Sequence, residues 1–180
     1  MLKWLCRNRR ALRHDRRATA AVEFALAATL LVVGVLNAVD FGYYMYQRME
    51  VENAAEAGAQ AAWKTCNDQS TMLPATENCS NLNTVITTAI QNTSLGTAVS
   101  LVSGSPTEGY YCVDSSNTLQ SVGSLSAKPT DCSSVGKSNV GPGDYIQVSV
   151  TCKYAPLFGI SLMTATGITS INMTTWMRLA

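Results

Sequence analysis

Residues 16–43 read RRATAAVEFALAATLLVVGVLNAVDFGY. A basic pair precedes an apolar run that extends to Val39, and one carboxylate, Glu23, lies just inside the start of that run. A stretch of this length and composition predicts a helix that crosses a lipid bilayer. Because a charged side chain is costly in lipid, Glu23 points to a role in assembly. The alternative is that its side chain only extends to the cytoplasmic headgroups and has no further role.

The net charge of +1 hides an asymmetry on the two sides of the apolar run. Residues 1–17 contain seven of the 13 Lys and Arg residues and a single acidic residue, Asp15. Short basic segments beside a membrane span remain on the cytoplasmic side. We therefore expect a single-pass membrane protein whose N-terminus stays on the cytoplasmic side and whose residues beyond about 45 are exported. No DNA-binding pattern follows the basic segment, so a nucleic-acid partner is not expected.

The span is predicted to be the first half of one long helix, from about Ala20 to Lys64, since this stretch contains no proline. Its second half is amphipathic, with a polar stripe and a stripe of mostly small residues. The helix either covers the core of its own domain or packs against another subunit, and both can hold at different heights. The polar stripe comprises Arg48, Glu52, Glu56, Gln60 and Lys64, and the other stripe Val51, Ala54, Ala55, Gly58, Ala61 and Ala62.

Three aromatic residues, Tyr43, Tyr44 and Tyr46, follow the span directly. Tyrosine is enriched where helices meet the membrane–water interface, so these residues predict an aromatic belt at the outer surface. Asp40 precedes them. It either pairs with another helix or marks the water boundary, and we favour the boundary.

Beyond Cys66 the composition becomes rich in Ser, Thr, Asn and Gly, with short apolar bursts. A short helix is predicted over 83–91, capped by Asn81 or Asn83. β-branched and alternating segments predict strands at 97–102, 110–113, 145–154 and 168–178, with a further possible strand at 119–122. The fold class is therefore α+β, a long helix packed on a small, mostly antiparallel sheet. The expected organisation is a basic leader (1–18), a transmembrane helix (19–46), its amphipathic extension (47–65) and a periplasmic head (66–180).

Five of the six cysteines lie beyond the span, and none forms a CxxC or Cys/His set. Spacings of this kind do not suit zinc, whereas an oxidising periplasm favours disulfides. Proximity in sequence favours the pairs Cys66–Cys79 and Cys112–Cys132, with Cys152 left over. Other pairings, or buried free thiols, remain open. No metal site or cofactor is predicted.

Nothing in the exported part predicts catalysis. The one histidine, His14, lies in the leader, so Ser–His and Cys–His schemes have no base there. The outer carboxylates lack motif spacing, and no glycine loop for phosphate is present. We expect no enzyme, no catalytic residue and no small-molecule substrate.

Three features together resemble the TadE-like minor pilins of tight-adherence (Tad/Flp) pilus systems. They are the stretch Arg16–Ala25, the triplet Asp40-Phe41-Gly42, and Glu52-Asn53-Ala54-Ala55 within an alanine-rich helix. The resemblance covers residues 16–62. Beyond them, Tyr154-Ala155-Pro156-Leu157 and the closing strand are similar in style only.

The resemblance implies cleavage by a prepilin peptidase on the cytoplasmic side of the helix, five residues before the glutamate. That places the cut between Ala18 and Thr19, with alanine at Ala18 where glycine is usual. The new α-ammonium of Thr19 would then neutralise Glu23 of a neighbouring subunit. An ordinary signal peptide is the competing interpretation, but its best cleavage pattern, Ala57-Gly58-Ala59, lies inside the predicted helix.

The resemblance implies a subunit that acts structurally in the assembly or initiation of a Tad-type pilus. Its expected partners are the inner membrane, other pilin-like subunits, the pilus assembly machinery and the prepilin peptidase. The alternative function is a membrane-anchored periplasmic binding or adhesion domain that never enters a filament. A periplasmic enzyme is the third interpretation.

Overall fold

A computed structural model describes residues 16–66, 68, 71–159 and 162–180. The chain divides into two compact units. The first contains residues up to Tyr43 together with Pro156–Thr166, and the second contains Tyr44–Ala155 and Gly167–Ala180. The helices are α1 (Arg16–Thr65), α2 (Ala75–Asn78), α3 (Leu82–Gln91) and α4 (Leu162–Ala165), and the strands β1 (Val99–Leu101), β2 (Thr107–Val113), β3 (Leu119–Ser121), β4 (Gly143–Lys153) and β5 (Ser170–Arg178).

The long helix predicted from the sequence is present as α1, a helix of 50 residues. It contains no proline, and its glycines Gly34, Gly42 and Gly58 are isolated from one another, so nothing in its sequence breaks the backbone hydrogen bonding. Within it, Thr19–Thr65 is long enough and apolar enough to cross a membrane.

The sheet of the second unit is antiparallel throughout and is organised around β4. One edge of β4 pairs with β5 along nine residues, from Tyr145 opposite Arg178 to Lys153 opposite Ser170. The other edge pairs first with β2 and then with β1, and β3 extends the sheet beyond β2. The predicted α+β class, with a long helix and a small antiparallel sheet, is therefore confirmed.

Strand β4 supplies the centre of the core because its side chains alternate in burial. Asp144, Ile146, Val148, Val150 and Cys152 are buried, whereas the residues between them are half-buried. This alternation is the signature of a strand with one face on the core and one face towards solvent.

The second half of α1 covers that core with its small-residue face. Val51, Ala54, Ala55 and Ala62 are fully buried, while the polar stripe from Arg48 to Lys64 is exposed. At Gly58 the contact is closest, since an added Cβ would lie 2.9 Å from Ile90 Cγ2. Between Val51 and Ala62 the face thus covers its own domain, one of the two roles that the pattern allowed.

Helix α3 begins one residue earlier than predicted, at Leu82, and Asn81 occupies its N-cap position. The Asn81 side chain makes no capping hydrogen bond, so the predicted cap is wrong in its chemistry although its position is right. Leu82, Ile86 and Ile90 form the buried face, which holds the helix in place by packing instead.

Candidate membrane and assembly site

The first half of α1 carries a continuous apolar surface. Phe24, Leu26, Leu30 and Leu31 each expose between 67% and 78% of their surface, and Val32 and Val35 are also exposed. Soluble domains seldom leave contiguous apolar patches of this extent in water. This half of α1 is therefore apolar enough and exposed enough to face lipid or another apolar helix.

The residues predicted for processing and charge neutralisation lie at the start of this surface. The Ala18–Thr19 peptide bond falls in the first turn of α1, and Thr19 and Glu23 are both exposed. Thr19 and Glu23 are four residues apart, so they lie on the same face of the helix, one turn from each other. The structure therefore leaves Glu23 exposed at the edge of the apolar surface.

The other polar residues of the apolar half bond within the helix. Thr29 Oγ1 donates to the Ala25 carbonyl oxygen at 2.8 Å, and Asn37 Nδ2 donates to the Val33 carbonyl oxygen at 2.9 Å. Lipid offers no hydrogen-bond acceptors, so these bonds to the carbonyl four residues earlier satisfy the hydroxyl and amide donors within the helix. Thr29 and the Asn37 amide are thereby compatible with a bilayer.

Two side chains near the end of this half hold a distant segment of the chain. Asp40 is buried, and its Oδ1 accepts a hydrogen bond of 2.8 Å from the Leu157 backbone N–H. One turn earlier, Asn37 Oδ1 accepts a bond of 2.9 Å from the Leu162 backbone N–H. Neither of the roles considered for Asp40 from the sequence includes this contact, because a backbone donor leaves no signature in a sequence.

The tyrosines expected at the membrane surface differ in their surroundings. Tyr43 and Tyr44 are half-buried, while Tyr46 is 52% exposed. The Tyr44 ring packs edge-to-face on Tyr154, with the ring centroids 5.3 Å apart. Aromatic pairs of this geometry add to the stability of a packed core. Tyr44 therefore also contributes to the packing of the head.

Two disulfides cross-link the head, and they join the cysteine pairs that proximity in sequence favours. Cys66 bonds to Cys79, which ties the end of α1 to the segment after α2. Cys112 bonds to Cys132 within a small second core formed with Tyr110 and Val122. Cys152 is a buried free thiol, and its burial raises the thiol pKa.

The pair formed by the carboxyl groups of Asp144 and Glu108 in the head was not predicted from the sequence. Asp144 is buried, and burial together with the neighbouring Glu108 carboxylate raises its pKa to about 7. Glu108 accepts hydrogen bonds from the Ala75 and Thr76 backbone N–H groups and from the Thr76 hydroxyl, at the start of α2. The alternation of β4 places Asp144 on the buried face of the strand, and this pattern is the feature of the sequence that could have identified a buried carboxyl group.

Other charged groups of the head serve local turns. Hydrogen bonds from Thr118, Gln120 and the Ser116 N–H hold the pKa of Asp114 well below its usual range, and Ser133 lowers that of Asp131. Within the described ranges, no group of three or more His, Cys, Asp or Glu side chains is placed to hold a metal ion.

Residues 18–60 match the family model described as TadE-like protein. The match coincides with the apolar half of α1 and with most of the half that covers the head, and it confirms the resemblance on those residues. Residues 61–180 lie outside it. No curated protein and no solved structure matches the chain.

Proposed function

We propose that this protein is a minor pilin-like subunit of a Tad-type pilus system. In this role it acts structurally, in the assembly or initiation of the pilus, and catalyses no reaction. One observation carries the proposal: the TadE-like match falls on a helix whose first half exposes an apolar surface and whose second half is built into a folded head. A helix of this kind can hold a head at a membrane and pack laterally against like helices.

The two halves of α1 have different roles in this proposal. The first half resides in the inner membrane, with the basic leader in the cytoplasm and the head in the periplasm. The two disulfides of the head suit that oxidising compartment. Exposed apolar residues from Val22 to Val39 remain available to lipid and to neighbouring helices.

Glu23 supplies the specific contact in assembly. Cleavage between Ala18 and Thr19 by a prepilin peptidase gives Thr19 an α-ammonium group, which pairs with Glu23 of a neighbouring subunit. At 4 Å and an effective dielectric constant of 20, such a pair gains on the order of 4 kcal/mol. That gain offsets the roughly 2.5–3.5 kcal/mol that a charged side chain costs at the centre of a membrane helix.

The test compares strains that carry the deletion, Glu23→Ala, Glu23→Gln or Glu56→Ala. Glu56 is the matched control because it is exposed on the same helix, outside the apolar half and outside the motif Glu52-Asn53-Ala54-Ala55. We expect the deletion and both Glu23 variants to reduce surface fibres counted by electron microscopy, with Glu56→Ala unchanged. Normal fibres in the deletion strain would instead support the membrane-anchored binding or adhesion domain.

Processing is tested on the mature N-terminus. Mass spectrometry of protein extracted from membranes should find Thr19 as the first residue, and Ala18→Gly should increase the processed fraction. Since the bond lies in the first turn of α1, the peptidase must act on an unwound helix end. Recovery of the intact leader alone, in both wild type and Ala18→Gly, would exclude the cleavage step.

A further inference from the structure

The segment Pro156–Thr166, hereafter the docked loop, joins β4 to β5 but belongs to the first compact unit. Its sequence, PLFGISLMTAT, contains no charged residue. Leu157 exposes 53% of its surface and Leu162 exposes 62%. A loop that a periplasmic domain presents to water would ordinarily be polar, so the composition calls for an apolar partner.

The docked loop is tied to α1 through its backbone. The Leu157 N–H donates to Asp40 and the Leu162 N–H donates to Asn37. Within the loop itself, the Thr166 N–H donates to the Leu162 carbonyl oxygen at 3.0 Å. Irregular backbone tolerates membrane depth only where protein groups satisfy its donors and acceptors. The side chains of α1 provide acceptors at these two positions of the loop.

The attachment points lie within the apolar stretch and before the tyrosines. Asn37 is six residues before Tyr43, which corresponds to about 9 Å along the helix axis. Half of the hydrocarbon core is roughly 15 Å thick. If Tyr43 marks the interface, the loop is anchored at the depth of the adjoining leaflet.

The helix also carries exposed apolar side chains on either side of the anchor residue Asp40. Val39 is 48% exposed and Phe41 is 46% exposed, and both lie on α1 within the same unit. Leu157 and Leu162 are exposed at the two positions where the backbone of the loop bonds to α1. The loop and this part of α1 thus both expose apolar side chains where they are joined, which favours the same surroundings for both.

We infer that the docked loop is a second membrane contact, which inserts Leu157 and Leu162 into the leaflet that faces the head. The inference rests on the proposed membrane residence of α1. A single helix is free to tilt in the membrane and to rotate about its own axis. A second contact beside the helix restricts both its tilt and its rotation.

The test places single nitroxide labels on the full chain in vesicles of phosphatidylethanolamine and phosphatidylglycerol. Leu157→Cys and Leu162→Cys are compared with Leu31→Cys in the apolar half and with Val140→Cys, which is 51% exposed in the head. Cys6 and Cys152 are replaced by Ala in all four. The readout is the ratio of label accessibility to oxygen, which partitions into lipid, and to a water-soluble nickel chelate.

We expect the labels at 157 and 162 to favour oxygen, as at 31 but less strongly, and the label at 140 to favour nickel. Nickel-accessible labels at 157 and 162 with a lipid-exposed label at 31 would overturn the inference and leave the anchor intact. Labels at 157 and 162 that neither reagent reaches would also overturn it, because a protein partner would then cover the loop. A nickel-accessible label at 31 would exclude the anchor itself.

A second readout covers the event that a labelled variant fails to fold. Leu162→Trp in vesicles that contain brominated lipid should lose fluorescence relative to the parent chain, whose described tryptophans, Trp63 and Trp176, lie in the second unit. Unchanged quenching would contradict insertion of Leu162.

Discussion

The carboxyl groups of Asp144 and Glu108 share a hydrogen bond on one face of the sheet. Asp144 lies opposite Tyr110, and Glu108 lies opposite Ile146, so the two acids are diagonal neighbours on β4 and β2. Two carboxyl groups can share a hydrogen bond only if one of them holds a proton. Since three donors already bond to the Glu108 oxygens, the proton resides on Asp144.

This pair predicts that the head loses stability as the pH rises. The pKa of Asp144 is about 7 in the folded head, against about 3.9 for an unfolded chain, so the folded state holds an extra proton between these values. Stability should fall from about pH 4 through about pH 7, by up to roughly 1.4 kcal/mol for each pKa unit. Asp144→Asn should remove this fall, which urea unfolding at pH 5 and pH 8 would measure.

Asp131→Asn is the control for the carboxyl pair, since that carboxylate is half-buried and accepts its hydrogen bond from Ser133 N–H within its own turn. It should retain the wild-type difference between pH 5 and pH 8. A wild-type head that is equally stable at both values would contradict a proton on Asp144.

The contact of Gly58 with α3 predicts a strong dependence on side-chain size. A Cβ there would lie 2.9 Å from Ile90 Cγ2 and 3.1 Å from Ile86 Cγ2, so Gly58→Val forces these side chains or the helices that carry them to shift. Overpacking of a core typically costs about 1–3 kcal/mol. Thermal unfolding of the head should show that loss, whereas the matched variant Gly34→Val, which meets no atom within 4 Å, should leave the head unchanged. Equal effects at both positions would point to helix propensity rather than packing.

The cysteine arrangement predicts which thiol of the head reacts. Cys152 is buried and its thiol pKa is raised, so iodoacetamide should leave it unmodified in the native protein at pH 7.5. After denaturation without reductant it should become the one head cysteine that is alkylated, as peptide mass spectrometry would show. Alkylation of Cys66 or Cys112 under those conditions would contradict the two disulfides.

Local sequence patterns predicted most of the helices and strands, but they did not predict the contacts between residues that are distant in sequence. The stripes of α1 and the alternation of β4 are periodic, so burial follows from spacing alone, as for Val51 and Val148. The Asp144–Glu108 pair depends on the register between β2 and β4, which spacing does not determine. The bond from the Leu157 N–H to Asp40 spans 117 residues and uses a donor that nearly every residue has.

That last bond yields a prediction about how the docked loop is held. Asp40→Ala removes the acceptor of the Leu157 N–H from a partly buried hydrogen bond, and a typical hydrogen bond contributes about 0.5–1.5 kcal/mol. The loop should open more often. Hydrogen exchange by mass spectrometry should then show faster exchange in peptides that cover 156–166, with peptides of β4 unchanged.

Asp40→Asn separates the role of the acceptor from that of the charge. Its amide oxygen can still accept the Leu157 N–H, so the loop should exchange at close to the wild-type rate. If both variants accelerate exchange equally, the negative charge holds the loop rather than the hydrogen bond. If neither does, the Asn37 contact to Leu162 is sufficient, and Asn37→Ala combined with Asp40→Ala should then release the loop where each change alone does not. The four variants, each compared with the wild type, therefore distinguish a loop held by two backbone donors from one held by charge.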